Sequence, residues 1–202
     1  MKIKRNSLVL FQGDSVTDCH RDRLDFNSLG DSYVKIINQV LKEYNIQVLN
    51  RAISGNRVDN LLERFDKDFK ALNPDYLFLL IGVNDTWHNY PNSKNNEVFY
   101  QEYDLLLSRI KNEMNCEVVI LEPFIIGSIE EITCMRGDLL KKVEIIRRMA
   151  RKYQCELITF ENRFAEAMVN DDESLYSIEG IHPKELGYQL MAKTILSKIE
   201  II

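Results

Sequence analysis

The run Tyr76-Leu77-Phe78-Leu79-Leu80-Ile81 constrains this chain more than any other stretch. It has strand length and no polar position to turn toward water, so a strand built from it must be covered on both faces. That points to the middle of a parallel sheet sandwiched between helices. The chain supplies the other pieces. Leu8 to Phe11, Ile46 to Leu49, Glu117 to Leu121 and a short stretch near Glu156 to Thr159 also read as strands. Between them, apolar residues recur at helical spacing: Tyr33, Ile37, Val40, Leu41 and Tyr44; then Val58, Leu61, Leu62, Phe65, Phe69 and Leu72; then Phe99, Tyr103, Leu106, Leu107, Ile110 and Met114; then Leu139, Val143, Ile146, Ala150 and Tyr153. Asn162 to Val169 reads as a short helix. A last helix carries Leu186, Leu190, Met191 and Ile195, with Pro183 at its first turn. Strands alternate with helices and no hairpin signal interrupts them, so the expected architecture is α/β: a five-stranded, doubly wound parallel sheet. The 202 residues suit one domain, 1–202, with no repeat or linker.

Charge and composition narrow the partners. Twenty-six basic and 31 acidic side chains give a net charge of −5 with no basic stripe, which argues against nucleic acid. No segment reaches the roughly 20 apolar residues of a membrane-spanning helix. The basic start Met1-Lys2-Ile3-Lys4-Arg5-Asn6 leads into an apolar run shorter than the roughly 7–15 residues of a signal peptide's core. A cytoplasmic location without membrane contact is therefore expected. Cys19, Cys116, Cys134 and Cys155 are widely spaced and form no Cys-x-x-Cys pair, so neither a zinc site nor a disulfide framework is indicated. Cys116 and Cys155 each open a strand and read as small buried hydrophobes. His20, His88 and His182 form no ligand motif, and no metal or cofactor is expected.

The chemistry gathers at strand ends. The first strand runs into Gly13-Asp14-Ser15, the second into Ile53-Ser54-Gly55-Asn56, the third into Gly82-Val83-Asn84-Asp85, and His182-Pro183 precedes the last helix. In a parallel sheet the carboxyl ends share one edge, where such folds bind ligands. Singly, each has a structural reading: Asp14 and Ser15 as a helix cap, Gly55 as a loop glycine, Asn84-Asp85 as a turn, His182 as a neighbour of a helix start. Together they are the set that acyl transfer needs. Ser15 is the nucleophile, His182 the base that takes its proton, and Glu179, three residues earlier, the group that orients the imidazole. The backbone amides of Ser15 and Gly55 and the side-chain amide of Asn84 form the oxyanion hole. Val16 to Asp25 reads as a solvated loop beside the serine, without the ligand order of an EF-hand.

These blocks resemble the four signature blocks of the SGNH, or GDSL-type, hydrolases, with Gly13-Asp14-Ser15, Gly55, Gly82-Val83-Asn84-Asp85 and Glu179-Gly180-Ile181-His182-Pro183 carrying the likeness. The resemblance spans residues 13 to 183. It implies a flavodoxin-like three-layer α/β/α fold and the serine, histidine and oxyanion roles just given. The Gly-x-Ser-x-Gly elbow of α/β-hydrolases is absent. One position departs from the family pattern: an aspartate usually stands where this chain has Glu179. The longer side chain has to fold back to reach His182. Asp171 or Asp172 would replace it only if their loop bent toward the histidine.

Within that family the blocks, with Trp87 after Asn84-Asp85-Thr86, look most like the carbohydrate acetylesterases, although His88 stands where that branch often has arginine. The expected activity is a serine esterase cleaving short acyl, chiefly acetyl, esters of a small-molecule or oligosaccharide substrate. Asp14, Trp87, His88 and Ile181 are the expected substrate-binding residues, Trp87 by walling a small acyl pocket or stacking on a sugar ring. A lysophospholipase or thioesterase is the alternative enzyme, and it calls for a long apolar groove near Phe124-Ile125-Ile126. The same segment is an alternative contact for a homo-oligomer, which deacetylase-type relatives often form. A non-catalytic sugar-binding protein is the reading from another class.

Overall fold

The computed structural model describes residues 1–127, 130–177 and 179–202. Its strands, in chain order, are β1 (Lys2–Ile3), β2 (Leu8–Gly13), β3 (Gln47–Asn50), β4 (Tyr76–Leu80), β5 (Glu117–Leu121), β6 (Glu156–Ile158) and β7 (Glu200–Ile201). The five middle strands form one parallel sheet in the order β3-β2-β4-β5-β6. Counting these five alone, the order is 2-1-3-4-5, the flavodoxin-like winding, whose switch point falls between β2 and β4. The apolar run from Tyr76 is indeed the central strand, buried at every residue.

The helices are α1 (Ser15–Asp18), α2 (Tyr33–Leu41), α3 (Val58–Glu63), α4 (Phe65–Asp68), α5 (Val83–Trp87), α6 (Asn96–Glu113), α7 (Glu130–Thr133), α8 (Arg136–Lys152), α9 (Glu161–Ala167) and α10 (Glu185–Leu196). Strand alternation divides them into two layers. Val9, Phe11, Tyr76, Phe78 and Leu80 face a core shared with Tyr33, Ile37 and Leu41 of α2 and Tyr188, Met191 and Ile195 of α10. Leu10, Leu77, Leu79 and Ile81 face a second core with Val58, Phe65, Phe99, Tyr103, Ile146 and Met149. Phe11 and Phe78 stack at 4.8 Å between ring centroids, joining the two strands at the switch point. A third, smaller cluster joins Val83, Ile125, Ile132, Met135, Leu139, Val143 and Ile181, with Trp87 packed against it. Among the described residues no helix is long and apolar enough to cross a membrane.

Several local expectations change. The polar stretch after Ser15 opens with a helical turn, α1, in which Val16, Thr17 and Asp18 are buried. The apolar series from Val58 to Leu72 is broken into α3, α4 and a 3-10 turn rather than one helix. Val40 is 40% exposed, off the face that its spacing predicts. Pro183 precedes α10 altogether: Lys184 is the N-cap, and Pro183 instead bridges to Ser177. The terminal strands β1 and β7 pair in parallel, with Lys2 opposite Glu200 and Ile3 opposite Ile201, a two-stranded sheet beyond the five expected strands. Ser128 and Ile129 lie outside the described residues, as does Ile178 in the stretch before His182.

Candidate active site

The serine turn starts from a backbone contact. A Cβ on Gly13 would lie 2.2 Å from the carbonyl oxygen of Leu80, so only glycine lets β2 run this close to β4 at the sheet edge. Asp14 then caps α1, accepting the Val16 N–H at 3.1 Å, and Ser15 stands at the first helical position. The capping and the nucleophilic readings of Gly-Asp-Ser are therefore compatible. They divide between the two residues.

His182 meets this turn from the loop before α10. Its Nε2 lies 2.7 Å from Ser15 Oγ, and its Nδ1 is in close contact with Glu179 Oε1. A carboxylate on Nδ1 holds the proton there, which leaves Nε2 as the acceptor for the serine hydroxyl. The loop is folded to make this possible. Ser177 Oγ donates to the His182 carbonyl at 2.9 Å and accepts the Gly180 N–H at 2.8 Å, while the Ile126 N–H donates to the Gly180 carbonyl at 2.7 Å. Gly180 has φ +90°, and a Cβ there would sit 2.9 Å from the Ile126 carbonyl oxygen. Asp171 accepts the Tyr176 hydroxyl and Asp172 caps Ser174, so neither supports the histidine.

The two remaining strand ends close around the serine. The Ile53 N–H donates to the Gly13 carbonyl at 3.1 Å, and Asp18, only 2% exposed, accepts both the backbone N–H and the hydroxyl of Ser54 at 2.7 and 2.8 Å. Arg23 donates to the same carboxylate at 2.9 Å. Burial works to raise the Asp18 pKa, but the bonds from Arg23 and Ser54 outweigh it and hold the group below the ordinary aspartate range. Gly55 follows with φ +81°. Asn84, itself 1% exposed, donates from Nδ2 to the Asn56 carbonyl at 3.0 Å, tying the third strand end to the second. Behind it, Asp85 is fully buried and its pKa is pushed up to about 6 by burial, an effect that Lys94 opposes.

Lys94 also settles the one carboxylate trio close enough to hold an ion. Asp59, Asp85 and Glu102 gather among the described residues, and Lys94 Nζ reaches them at 3.1, 2.8 and 2.6 Å. The ammonium already supplies the positive charge.

Four residues are expected from the sequence to contact substrate. Trp87 is half-buried, its ring 5.8 Å from the His182 ring at 57°. His88 is exposed, with Cε1 3.9 Å from where a Cβ on Gly55 would lie, and burial and then Arg57 lower its pKa. Trp87 thus lies beside the His182 ring and His88 beside Gly55. Asp14 and Ile181 are each 1% exposed, so neither presents a surface to substrate. Phe124, Ile125 and Ile126 are buried at 5%, 4% and 1%, so they offer no exposed subunit contact, and the cavity of about 220 Å³ that Ile126 helps to line is otherwise edged by polar and glycine residues such as Asp172, Ser177 and Gly180. A cleft of about 770 Å³ lies between α2 and α10. Its lining includes Cys19, Lys35, Gln39, Pro183, Glu185 and Gln189 but not Ser15 itself.

Sequence reasoning does not find Asp18, Ser177 or Lys94, whose polar side chains bond to Ser54, to the His182 loop and to Asp85. Each depends on partners elsewhere in the chain that no local pattern announces.

The comparisons with known proteins agree with this geometry. The GDSL-like lipase/acylhydrolase family matches residues 11–190, a span that takes in Ser15, Gly55, Asn84 and His182. The chain belongs to this family. It is accordingly an esterase of the GDSL-like acylhydrolase type. An acetylxylan esterase from Geobacillus stearothermophilus is 30% identical over 98% of this chain and 96% of its own length. The crystal structure of that species' acetylxylan esterase Axe2 superposes with a TM-score of 0.87 at 26% identity, covering 98% of this chain and 95% of the other. Catalytic mutants of Axe2 include one serine-to-alanine and one histidine-to-alanine change. A Parabacteroides merdae structure described as a GDSL-like lipase gives a TM-score of 0.90 at 32% identity over 96% of each chain.

Proposed function

We propose that this GDSL-family chain is a serine esterase that removes short acyl groups, chiefly acetyl, from carbohydrate esters through an acyl-enzyme. The observation that carries the mechanism is the relay Ser15 Oγ to His182 Nε2 at 2.7 Å, with Glu179 on Nδ1. Ser15 attacks the ester carbonyl as His182 takes its proton. The tetrahedral oxyanion is held by the Ser15 and Gly55 amides and Asn84 Nδ2, and the leaving alcohol takes the proton back from His182. Water then repeats the sequence to release the acid. Acidification slows both halves, since an imidazolium can accept neither the serine proton in acylation nor the water proton in deacylation.

The acetyl and carbohydrate parts of the reading rest on the similarity to the acetylxylan esterase and on the shape around the pair. Trp87 stands beside it and His88 beside Gly55, and the neighbouring cleft is edged by Lys35, Gln39, Glu185 and Gln189. The apolar segment a long acyl chain would need is buried. A p-nitrophenyl ester series from acetyl to long acyl chains, with Ser15→Ala alongside, tests the reading. Turnover confined to short chains and lost in the variant supports it, and acetylated xylo-oligosaccharides follow as substrates. A long-chain preference would move the assignment to lipid or thioester substrates, and sugar binding without Ser15-dependent turnover would indicate a binding protein.

A further inference from the structure

We propose that Asp138 is a positioning residue that cinches the segment from Thr86, in the last turn of α5, through the following loop to Ser93, and thereby fixes how closely Trp87 and His88 approach the catalytic pair, setting the acyl size the site accepts. This rests on the esterase reading above. The loop is tied at its base on α8. Thr86 Oγ1 and Ser93 Oγ each donate to Asp138 Oδ2 at 2.9 Å, so the two ends of the excursion meet on one carboxylate oxygen. Lys142 Nζ donates to the same oxygen at 2.6 Å. The Lys94 N–H closes the neck on the Asp85 carbonyl at 3.0 Å, and the Tyr90 hydroxyl reaches the Cys134 carbonyl at 3.0 Å.

A helical Lys–Asp pair needs none of these loop contacts. Lys142 is fully buried, and a buried ammonium requires a carboxylate partner, which Asp138 provides. By also accepting the Thr86 and Ser93 hydroxyls on the same oxygen, Asp138 locks a loop to a helix, which the charge pair alone would not do. Burial works to raise the Asp138 pKa, but Lys142, Ser93 and Thr86 together hold it below the ordinary range, so it stays an acceptor for both tethers.

What the loop carries gives the tether its consequence. Trp87 lies between the His182 ring and the apolar cluster that includes Leu139 and Val143 of the same helix. His88, the next residue, approaches Gly55. The end of α5 and the residue after it thus lie beside the base on one side and Gly55 on the other. Their position sets the space left for an acyl group, where one methylene changes discrimination by about 10- to 200-fold.

The double variant Thr86→Val/Ser93→Ala tests this, because it removes both tethers and leaves the Asp138–Lys142 pair intact. Trp87 is the only tryptophan in the chain, so its emission reads the loop directly. The proposal predicts stronger acrylamide quenching and a ratio of butyryl to acetyl p-nitrophenyl ester kcat/KM that rises about tenfold, with an unchanged acid limb of the pH profile. Asp138→Asn should show the same loosening with a larger fall in Tm. Unchanged quenching would overturn the tether, and looser tryptophan with an unchanged ratio would overturn its part in selectivity. If the wild type hydrolysed no ester, the esterase reading and the selectivity claim would fall together, while quenching would still decide the tether.

Discussion

Glu179 reaches His182 twice through one oxygen: Oε1 contacts the ring Nδ1 and accepts the His182 backbone N–H at 3.1 Å. The longer glutamate is folded back along its own loop, and the peptide N–H fixes it there. The fold-back lets the glutamate reach the histidine from where the family pattern has aspartate. The carboxylate is held by the same residue it orients.

Glu179→Gln should therefore keep the loop and lose the chemistry. An amide can still accept the backbone N–H, but it no longer favours the Nδ1–H tautomer. The expected fall in kcat is up to about 10⁴-fold with little change in Tm. Near-normal kcat in steady-state assays would show that a Ser15–His182 dyad suffices.

Asn84→Ala should cost about 2.7–4 kcal/mol of transition-state stabilisation, read from kcat/KM. Because Asn84 also holds the Asn56 carbonyl, a modest drop in Tm is expected alongside it. A drop in Tm with unaltered kcat/KM would make Asn84 a strut between loops and nothing more.

Gly13→Ala has no room for its methyl group, which would fall 2.2 Å from the Leu80 carbonyl oxygen. The backbone at the carboxyl ends of β2 and β4 would have to separate, at a cost of roughly 1–3 kcal/mol or more. Chemical denaturation measures this, and wild-type stability would contradict the packing.

Asp14 makes stability depend on pH. Burial, opposed by the Val16 N–H and reinforced by the charge of Asp85, pushes its pKa up to about 7 from 3.8. Between these values the folded chain keeps a proton that the unfolded chain has lost. Stability therefore declines as pH rises through that window, by on the order of a few kcal/mol. Asp14→Asn retains an oxygen for the cap and removes this titration, so its urea-unfolding free energy should fall less steeply than the wild type's between about pH 4 and 7, Asp85 alone contributing a decline up to about pH 6. Parallel curves would contradict the assignment.

The legible parts of this chain are those written in apolar letters. Five strands and the two-sided sheet follow from continuous runs such as Tyr76 to Ile81, and the site blocks stand where those runs stop. Turns written in polar letters are not legible. Val16-Thr17-Asp18 reads as loop because Thr17 and Asp18 are buried by hydrogen bonds to Tyr33 and Ser54, not by an apolar face. The break between α3 and α4 has a comparable origin. Arg64 turns inward to bond the Arg51 carbonyl and Asn56, a contact that no periodicity announces. Asp138 reads as an ordinary polar helix residue because its partners Thr86 and Ser93 belong to a loop far from it in the chain.

The central claim is that Ser15 carries the acyl group during turnover. An acetyl ester mixed with the enzyme, quenched in acid within one turnover and digested for mass spectrometry, tests it directly. The mechanism predicts an acetyl adduct on the peptide bearing Ser15, accumulating further in a variant slowed in deacylation and absent from Ser15→Ala. Turnover with no adduct on that peptide, or undiminished turnover by Ser15→Ala, would contradict it.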